Sequence, residues 1–595
     1  MPKKKLHADP VLIQVLRYAM EQIADEMGHT LIRTARSTVI KEIKDISCAV
    51  FDRNGNTIAQ AHHAPMLLTG FELGMRQLRA QFRDEDLSDG DVIVFNDPYS
   101  GGQHVMDLVT FAPVFVGAKH LQSRRGKTNG GSANASPLLV GFVGSMAHHA
   151  DLGGAAPGGT QGGLTEIYQE GLRLPMVKLY KKGQEDAELF GILNNNIRVP
   201  DKTLGDIRAQ ASANFVGARR LREIFERYTP AVVQLHTDAL LDYSEKRIRA
   251  GLERIPDGTY TGVDYVDDDG LTGKPIKLQV NIHKQGDHAI VDFDGTDEQV
   301  PGNVNCPLAT VYAAVYYALI AVVDPHVAPN SGCYRPFEVR AREGLVVNPK
   351  LPRACGARTQ TSQKIAEAML LALAQALPER VMAGSHGQIT NCGFSGYHPE
   401  TGKRFVYIDI QGGGAGARFC RDGRDGQDSH LARFLNTPVE AVELEFPARV
   451  ECYEFIPDTG GAGKYRGALG LRRDIRVLID DMSFARYGDR QVYGAFGLFG
   501  GKEGAKGKFI LNPDSPDERP LKSKGLDKLK KGDIVSLRLP GGGGYGEPSE
   551  RDPQAVLRDV RDDKVSRAAA ESEYGVVIDD QTLSVDKAAT HVTRK

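Results

Sequence analysis

The chain has 595 residues, more than one hydrophobic core usually accommodates, so its length predicts three or four domains, or fewer if large sheets dominate. Its 74 basic and 76 acidic residues nearly cancel, which argues against nucleic acid or an anionic membrane as a partner. The seven cysteines show no C-x-x-C spacing, and the basic N terminus lacks the apolar run of a signal peptide, so we expect a cytoplasmic protein without a disulfide framework or zinc knuckle.

The first part of the chain combines long helices with strands. Apolar residues recur every three or four positions from Pro10 to Arg36, which predicts an amphipathic helix. SCAVFD and TIAQA flank the turn RNGN and predict a hairpin, and GDVIVF, LVTFAPVFV and LLVGFVGSM predict three further strands. The polar segment 117–138 between the last two strands predicts a solvated surface excursion, with a contact to a partner subunit as the alternative. Helical periodicity then extends from Thr203 to Ile255.

The rest of the chain contains two regions with different predicted secondary structure. PIKLQVNIHK and HAIVDFDGT predict paired strands, and helices are predicted at 307–324 and 362–376, the second with Ser362 as its N-cap. The apolar stretch 309–323 is shorter than the roughly 20 residues that span a bilayer, so we expect a buried helix. RFVYIDI, ARVECYEF and IVSLRL then predict short strands between glycine clusters, and a last helix begins at Pro553.

These elements predict an α+β, multi-domain fold with mixed sheets, in which long helices lie in the N-terminal part and the C-terminal part is rich in strands and glycine. We expect an α/β domain over 1–255, a central α+β domain over 256–400, and a β-rich domain with a terminal helix over 401–595.

Two short stretches carry side chains that suit a metal ion. FNDPYSGGQHVMDL places His104 and Asp107 in a glycine-flanked turn between strands, and GSMAHHADLGG places His148, His149 and Asp151 where a strand ends. Imidazole and carboxylate bind borderline and hard divalent ions. If the flanking strands are neighbours, three ligands would meet and leave positions for water or substrate, as in a catalytic site. A polar loop with surface histidines is the alternative, since short H-x-x-D matches are common by chance.

No motif for nucleotide binding or covalent catalysis is found. QGGGAGARF, DTGGAGKYRGALG and LPGGGGYGEP lack the spacing of dinucleotide or phosphate loops, and no G-x-x-x-x-G-K-[ST] occurs. G-x-S-x-G is also absent. We therefore expect tight turns in the glycine stretches, with close backbone packing or a substrate-lining loop as alternatives, and no ATP site of the P-loop type.

Taken together, these stretches resemble the hydantoinase B family. That family also includes the C-terminal half of ATP-dependent 5-oxoprolinase and the alpha-type subunits of acetone and acetophenone carboxylases. The resemblance covers nearly the whole chain through ordered matches, among them KDISCAVFD, NDPYSGGQHVMDLVTFAPVF, AHHADLGGAAPGG, EGLRLP, PNSGCYRPFEV and GAGKYRGALGLRR.

The resemblance implies a metal-bearing subunit whose separate partner, a hydantoinase A type subunit, uses ATP to phosphorylate the carbonyl or enol oxygen of the substrate. The metal, which would be zinc, manganese or iron, is expected on two aspartates and two histidines: Asp45, His104, Asp107 and His148. His149 and Asp151 would be further catalytic-site groups that orient those ligands. The segment AQAHHAPMLLTG departs from the usual family sequence and leaves the roles of His62 and His63 open, and residues 117–138 are expected to be an insertion.

The function that the resemblance favours is the B subunit of an ATP-dependent cyclic amide hydrolase, acting on a hydantoin, lactam or 5-oxoproline-like ring within a hetero-oligomer. The alternative within catalysis is the alpha-type subunit of a ketone carboxylase, in which the same centre would bind an enolate and CO2. A third hypothesis is a non-catalytic scaffold that binds the kinase-like partner. The presence of all four expected ligands argues against the third.

Overall fold

Helices and several sheets share the chain in the computed structural model, which describes residues 7–117, 137–159, 161–579 and 581–594. The predicted α+β, multi-domain class with mixed sheets is confirmed. The predicted insertion at 117–138 falls largely outside the described residues.

A seven-stranded antiparallel sheet, in the order β2-β1-β5-β4-β3-β6-β7, forms the N-terminal part of the fold. Its strands are β1 (Ile46–Asp52), β2 (Thr57–Gln60), β3 (Val92–Phe95), β4 (Asp107–Val116), β5 (Leu138–His148), β6 (Val177–Lys181) and β7 (Gln184–Glu185). The accompanying helices are α1 (Pro10–Thr34), α2 (Pro65–Gln81), α3 (Ala187–Asn196), α4 (Pro200–Arg227) and α5 (Pro230–Leu252). The predicted hairpin, the next three strands and the long first helix are confirmed.

Both faces of this sheet are covered by helices. Successive side chains of a strand point to opposite faces, so Cys48 and Val50 of β1 pack in the core on the side of α1 and α4, whereas Ala49 and Phe51 pack on the side of α2. The Phe51 ring meets the Phe111 ring of β4 edge-on, with centroids 5.6 Å apart. Because a one-residue slip would exchange the two faces, this packing specifies the register of the central strands.

The middle of the chain forms a four-stranded sheet in the order β11-β10-β9-β8, in which only β10 and β11 are parallel. Its strands are β8 (Gly258–Val266), β9 (Ile276–Gln285), β10 (His288–Asp292) and β11 (Phe337–Arg340), and its helices are α6 (Leu308–Val323), α7 (Ser331–Tyr334) and α8 (Arg358–Ala374). Helix α6 is the predicted buried helix. No helix within the described residues has both the length and the apolar character needed to cross a membrane.

Helix α8 begins four residues before the predicted N-cap. Ser362 is a buried residue inside the helix, and the N-cap position is held by Ala357, whose side chain accepts no hydrogen bond. The carboxylate of Glu170 instead accepts hydrogen bonds from the backbone N–H groups of Cys355 and Gly356, just before the helix. A tertiary contact therefore sets the start of α8, and the prediction from local capping was wrong.

The C-terminal part contains two sheets, in the orders β13-β12-β16-β19 and β14-β15-β20-β17-β18, and a small hairpin. The strands are β12 (Thr390–Tyr397), β13 (Arg404–Gln411), β14 (Ala448–Ile456), β15 (Gly470–Val477), β16 (Met482–Tyr487), β17 (Lys508–Leu511), β18 (Arg519–Leu521), β19 (Gly525–Leu529), β20 (Ile534–Arg538), β21 (Ile578–Asp579) and β22 (Ser584–Val585). The helices are α9 (Val439–Glu445), α10 (Pro553–Arg561), α11 (Arg567–Tyr574) and α12 (Lys587–Thr593).

The helix predicted from Pro553 is present but is not the last one. Ser566 and Asp586 accept hydrogen bonds from the first-turn N–H groups of α11 and α12, which are the local capping signals that the prediction missed. The predicted domain boundary near residue 400 falls in the turn of the β12–β13 hairpin, and one hydrophobic core runs through all three predicted parts. The three-domain division remains a prediction.

The C-terminal glycine clusters pack backbone against backbone. A Cβ on Gly542 would collide with the carbonyl oxygen of Ala415, and a Cβ on Gly414 would lie 2.5 Å from the backbone nitrogen of Gly542. Neither glycine has a positive φ, so close approach, not turn geometry, requires them. The alternative of close backbone packing is therefore confirmed here over the expected tight turns.

Helix α8 lies in the centre of the molecule, with every residue buried except Thr359 and Leu371. Its Glu367 Oε1 accepts hydrogen bonds from the backbone N–H and the hydroxyl of Ser385, at 2.8 and 2.7 Å, and lies 2.8 Å from Nε2 of His430. Burial by itself would raise the pKa of Glu367, but the neighbouring His430 and Arg490 outweigh it and lower the pKa to about 2.

We expect Glu367→Gln to destabilise the protein at pH 7 by about 3 kcal/mol, the value of a pKa held some 2.5 units below that of an unfolded glutamate. Because the pKa of Glu367 is lower in the folded protein than the value of 4.5 in the unfolded chain, its ionised carboxylate stabilises the fold at pH values above 4.5. This stabilisation is lost as the pH falls from 4.5 towards 2. The difference in melting temperature between the two proteins should therefore stay constant from pH 7 to about pH 5 and shrink as the pH falls from 4.5 towards 2. The exposed Glu440→Gln serves as control, and a difference that is independent of pH would contradict the assignment.

Candidate metal centre

Strand pairing brings the two predicted metal-ligand stretches together. Asp107, the first residue of β4, is the direct register partner of His148, the last residue of β5. His104 lies in the turn just before β4, where its carbonyl oxygen accepts a hydrogen bond from the N–H of Asp107 at 3.0 Å. The antiparallel sheet thus meets the condition on which the predicted three-ligand site depended.

The three side chains converge on one point. His104 Nε2 lies 2.9 Å from Asp107 Oδ1 and 3.1 Å from His148 Nδ1, and His148 Nδ1 lies 3.1 Å from Asp107 Oδ1. All three residues are buried, and no other group of three or more histidine, cysteine or acidic side chains with such spacing is found in the described part of the chain. We call these residues the ligand triad.

The ligand triad fits a divalent transition metal. Donor atoms that bind one ion at about 2.1 Å and at right angles to each other are about 3 Å apart, which matches the three distances of the triad. Two imidazoles and one carboxylate suit zinc, manganese or iron. Because all three donors lie on one side, further positions would remain for water or substrate.

Asp45, the fourth predicted ligand, lies beside the triad. Its backbone oxygen accepts the N–H of His148 at 3.1 Å, and its Oδ2 lies 4.0 Å from His148 Nδ1. Its other carboxylate oxygen, Oδ1, is buried without a hydrogen-bond partner among the described residues. Burial raises the pKa of Asp45 to about 7. A buried oxygen without a donor is costly, so this carboxylate has the unmet coordination capacity expected of a ligand.

The electrostatics favour the protonation states that a metal requires. Burial, helped by the nearby cation of Arg358, lowers the pKa of His104 to about 3, so its imidazole is neutral at neutral pH. Burial would raise the pKa of Asp107, but the cation of Arg358 and the hydrogen bonds with His104 and His148 outweigh it and hold that pKa well below its usual range. Neutral imidazole and ionised carboxylate are the forms that bind metal ions.

Arg358, which the sequence reasoning missed, completes the surroundings of the triad. It is the first residue of α8, its guanidinium Nη2 donates to Asp107 Oδ2 at 2.6 Å, and it is 2% exposed. Asp107 therefore offers one oxygen to the triad and the other to Arg358. No spacing signal could have identified Arg358, because 251 positions separate it from Asp107.

A small cavity adjoins the triad and is lined by both polar and apolar residues. Its volume is about 30 Å³, enough for about two water molecules. The polar lining residues are the triad and Asp45 with Gly356, Arg358, Thr359, Asn391 and Tyr487. The apolar lining residues are Met66, Leu67, Ile389, Ile410 and Phe434. The lining thus suits a molecule with both polar and hydrocarbon parts.

His149 and Asp151 have partners other than the ligand triad. His149 Nε2 lies 2.8 Å from Oε1 of Gln210, whose amide nitrogen donates to the carbonyl oxygen of Leu108 next to Asp107. Asp151 accepts hydrogen bonds from the backbone and side chain of Arg198 and from the loop after β5. His149 therefore acts through Gln210 on the backbone next to Asp107, and Asp151 ties the loop after β5 to Arg198. The role of these two residues in orienting the ligands stays a prediction.

His62 and His63 lie apart from the ligand triad. His62 is exposed, and its carbonyl oxygen accepts a hydrogen bond from Arg433. His63 packs against Gly28 of α1, and burial lowers its pKa to about 4. Neither belongs to the metal-ligand group found among the described residues.

Comparison with known proteins agrees with this architecture. The family described as Hydantoinase B/oxoprolinase matches residues 9–548. The B subunit of a putative D-/L-hydantoinase from Pseudomonas sp. (strain NS671) is 33% identical over 607 residues, which cover 99% of this chain and 98% of that protein. The crystal structure of ATP-dependent caprolactamase from Pseudomonas jessenii matches with a TM-score of 0.87 at 30% identity, over 98% and 99% of the two chains.

A nucleotide-free structure of acetone carboxylase also matches. Its TM-score is 0.86 over 98% of this chain and 82% of that chain, but the identity is 18%. At this identity the match shows a shared fold alone.

We expect the purified protein to carry about one transition-metal ion per chain and the His104→Ala variant to carry almost none, because the variant loses one of three converging donors. The exposed His62→Ala is the matched control and should keep the wild-type metal content. Elemental analysis of the three proteins after identical dialysis decides the point. Equal metal content in wild type and His104→Ala would show that the ligand triad is not the metal site.

Proposed function

Because the chain belongs to the hydantoinase B/oxoprolinase family, we propose that it is the metal-bearing hydrolytic subunit of an ATP-dependent cyclic amide hydrolase. The observation that carries this proposal is the buried triad of His104, Asp107 and His148 beside a cavity lined by both polar and apolar residues. Similar proteins include a hydantoinase subunit and an ATP-dependent caprolactamase, whose names both refer to cyclic amides.

The proposed cofactor is one zinc, manganese or iron ion held by the ligand triad together with Asp45. A divalent ion in such a site lowers the pKa of water and stabilises negative charge on oxygen. Asp45 Oδ1, which is buried without a hydrogen-bond partner among the described residues, would be available to coordinate the ion. Arg358 keeps Asp107 oriented through its hydrogen bond to Oδ2.

The proposed substrate is a cyclic amide that has been phosphorylated on its carbonyl oxygen. Phosphorylation removes the amide resonance and leaves an electrophilic imidate carbon. Water adds to that carbon, a proton passes to the ring nitrogen, and the C–N bond breaks, which gives a free amine and an acyl phosphate. A second water molecule then hydrolyses the acyl phosphate to a carboxylate and inorganic phosphate. The hydrocarbon part of the ring would pack on Met66, Leu67 and Phe434. Because the cavity now holds only about two water molecules, these apolar side chains must move to admit the ring.

The proposed partner is a hydantoinase A type, ATP-binding subunit in a hetero-oligomer. The chain contains no G-x-x-x-x-G-K-[ST] motif, so a separate subunit would supply the phosphorylation. The similar hydantoinase protein is named as one subunit of its enzyme, which supports a division of the reaction between chains.

A ketone carboxylase subunit is the second candidate, because the sequence resemblance extends to the alpha-type subunits of such enzymes and the fold is compatible with it. The higher identity to the hydantoinase subunit and to caprolactamase favours the hydrolase. Protein that is metal-free after careful purification would instead support the scaffold hypothesis.

We expect the isolated chain to show no turnover of a cyclic amide with ATP, and the chain co-expressed with its A-type partner to be active and to elute with it as one species. The physical reason is that the unphosphorylated amide is too poor an electrophile for water. Gel filtration and a coupled ATP assay test both points. Activity of the isolated chain without ATP would contradict the proposed division of labour.

We expect the reconstituted complex to consume ATP in proportion to ring opening of a hydantoin or lactam and to need no bicarbonate. A carboxylase would instead require a co-substrate that supplies CO2. The assay compares cyclic amides with methyl ketones, each with and without bicarbonate, and uses His104→Ala as the inactive control. Turnover only with a ketone plus bicarbonate would rule out the hydrolase and establish the second candidate.

A further inference from the structure

The first turn of helix α8 reaches the cavity beside the ligand triad. Gly356, Arg358 and Thr359 line the cavity at this point. We propose that this turn and the guanidinium of Arg358 bind the phosphoryl group of the activated substrate, and afterwards the inorganic phosphate product. The inference rests on the proposed function and adds to it a defined subsite for a phosphate monoester.

The N terminus of α8 has the features of an anion site. The helix has 17 residues, so its aligned peptide dipoles place a partial positive charge at this end. Most N–H groups at this end already have partners, because those of Ala357, Arg358 and Gln360 donate to backbone carbonyl oxygens. The N–H of Thr359 has no partner among the described residues, and a backbone N–H at such an end is suited to a phosphate oxygen.

Arg358 provides an independent indication of a ligand. Its side chain is 2% exposed and lines the cavity. Its Nη2 donates to Asp107 Oδ2 at 2.6 Å and to Gln103 Oε1 at 3.3 Å, but its Nε has no hydrogen-bond partner in the described part of the chain. A buried charged donor without an acceptor is unfavourable, and a phosphate oxygen would satisfy it.

The charges around the cavity allow an anion once a metal ion is present. The carboxylates of Asp45 and Asp107 would repel phosphate. A divalent ion in the ligand triad offsets both carboxylates, so that Glu170, which accepts the N–H of Gly356, is the remaining acidic group near Arg358. Phosphate binding is therefore expected to strengthen when the metal is present, and by linkage phosphate should strengthen metal binding by the same factor.

Glu170, the first residue of the stretch EGLRLP, holds this turn in position. Its Oε1 accepts hydrogen bonds from the N–H groups of Cys355 at 2.9 Å and Gly356 at 2.5 Å. A Cβ on Gly356 would lie 2.8 Å from that oxygen and 3.2 Å from the hydroxyl oxygen of Tyr487, so a side chain at this position would displace the Glu170 carboxylate. Glu170 thereby fixes where the first turn of α8 enters the cavity.

The test measures binding of inorganic phosphate to the metal-loaded protein, together with its partner where the two purify as a complex, by isothermal titration calorimetry. We expect Arg358→Lys to weaken phosphate binding by about ten- to a hundredfold, because lysine keeps the charge but loses the Nε donor and the planar fork. The metal content should not change. Arg353→Lys, a matched change five residues upstream and outside the cavity lining, should bind phosphate like the wild type. Substitutions in this chain leave any phosphate site of the partner unaltered, so the differences isolate this subsite.

A second variant covers the case in which Arg358→Lys loses its metal. Glu170→Asp keeps Arg358 and the negative charge but withdraws the acceptor that holds the turn, and should also reduce phosphate affinity at unchanged metal content. Equal phosphate affinity in the wild type and in the metal-loaded variants would overturn the inference. Acetate that competes as strongly as phosphate would also overturn it, because the subsite would then be a carboxylate site.

The outcome is separable from that of the proposed function. Loss of phosphate affinity in the variants, with no hydrolysis of any cyclic amide by the wild-type complex, would support the subsite and reject the hydrolase. Hydrolysis by the wild type with unaltered phosphate affinity in the variants would reject the subsite and support the hydrolase.

Discussion

The buried ion pair between Arg358 and Asp107 is the interaction on which the arrangement of the site depends. Nη2 of Arg358 lies 2.6 Å from Asp107 Oδ2, and the two side chains are 3% and 1% exposed. Burying such a pair is costly unless the remaining polar atoms find partners. The other carboxylate oxygen of Asp107 has partners in His104 and His148. Nε of Arg358, in contrast, has no hydrogen-bond partner among the described residues. The pair thus orients the triad and leaves one donor for a ligand.

This ion pair also joins distant parts of the chain. Asp107 belongs to β4 of the N-terminal sheet, and Arg358 begins the central helix α8, whose Glu367 in turn contacts Ser385 and His430 near the C-terminal sheets. The apolar packing on both faces of the N-terminal sheet specifies the register that pairs Asp107 with His148. A rigid sheet and a buried helix therefore hold the donor atoms, and loops supply only His104 and Asp45.

Much of the fold was predictable because its signals are local. The 3.6-residue periodicity of α1, the turn RNGN and the apolar run of α6 each report on neighbouring residues, and the structure confirms all three elements. The start of α8 was not predictable in this way, since Glu170, more than 180 positions away, holds the preceding N–H groups. The structure of the glycine clusters was mispredicted as tight turns for the same reason. Their need for glycine comes from backbone segments that meet across the fold, such as Gly414 and Gly542.

For the site, the sequence by itself determined which residue types could bind a metal and where they occur: His104 and Asp107 in one turn, His148 at the end of a strand. Only the tertiary structure decided that these three converge, that Asp45 lies beside them, and that His149 turns away to Gln210. It alone brought Arg358 to Asp107 across 251 positions. The physical reason is that sequence spacing reports on side chains within one turn or strand, whereas strand register and helix packing decide which distant side chains meet.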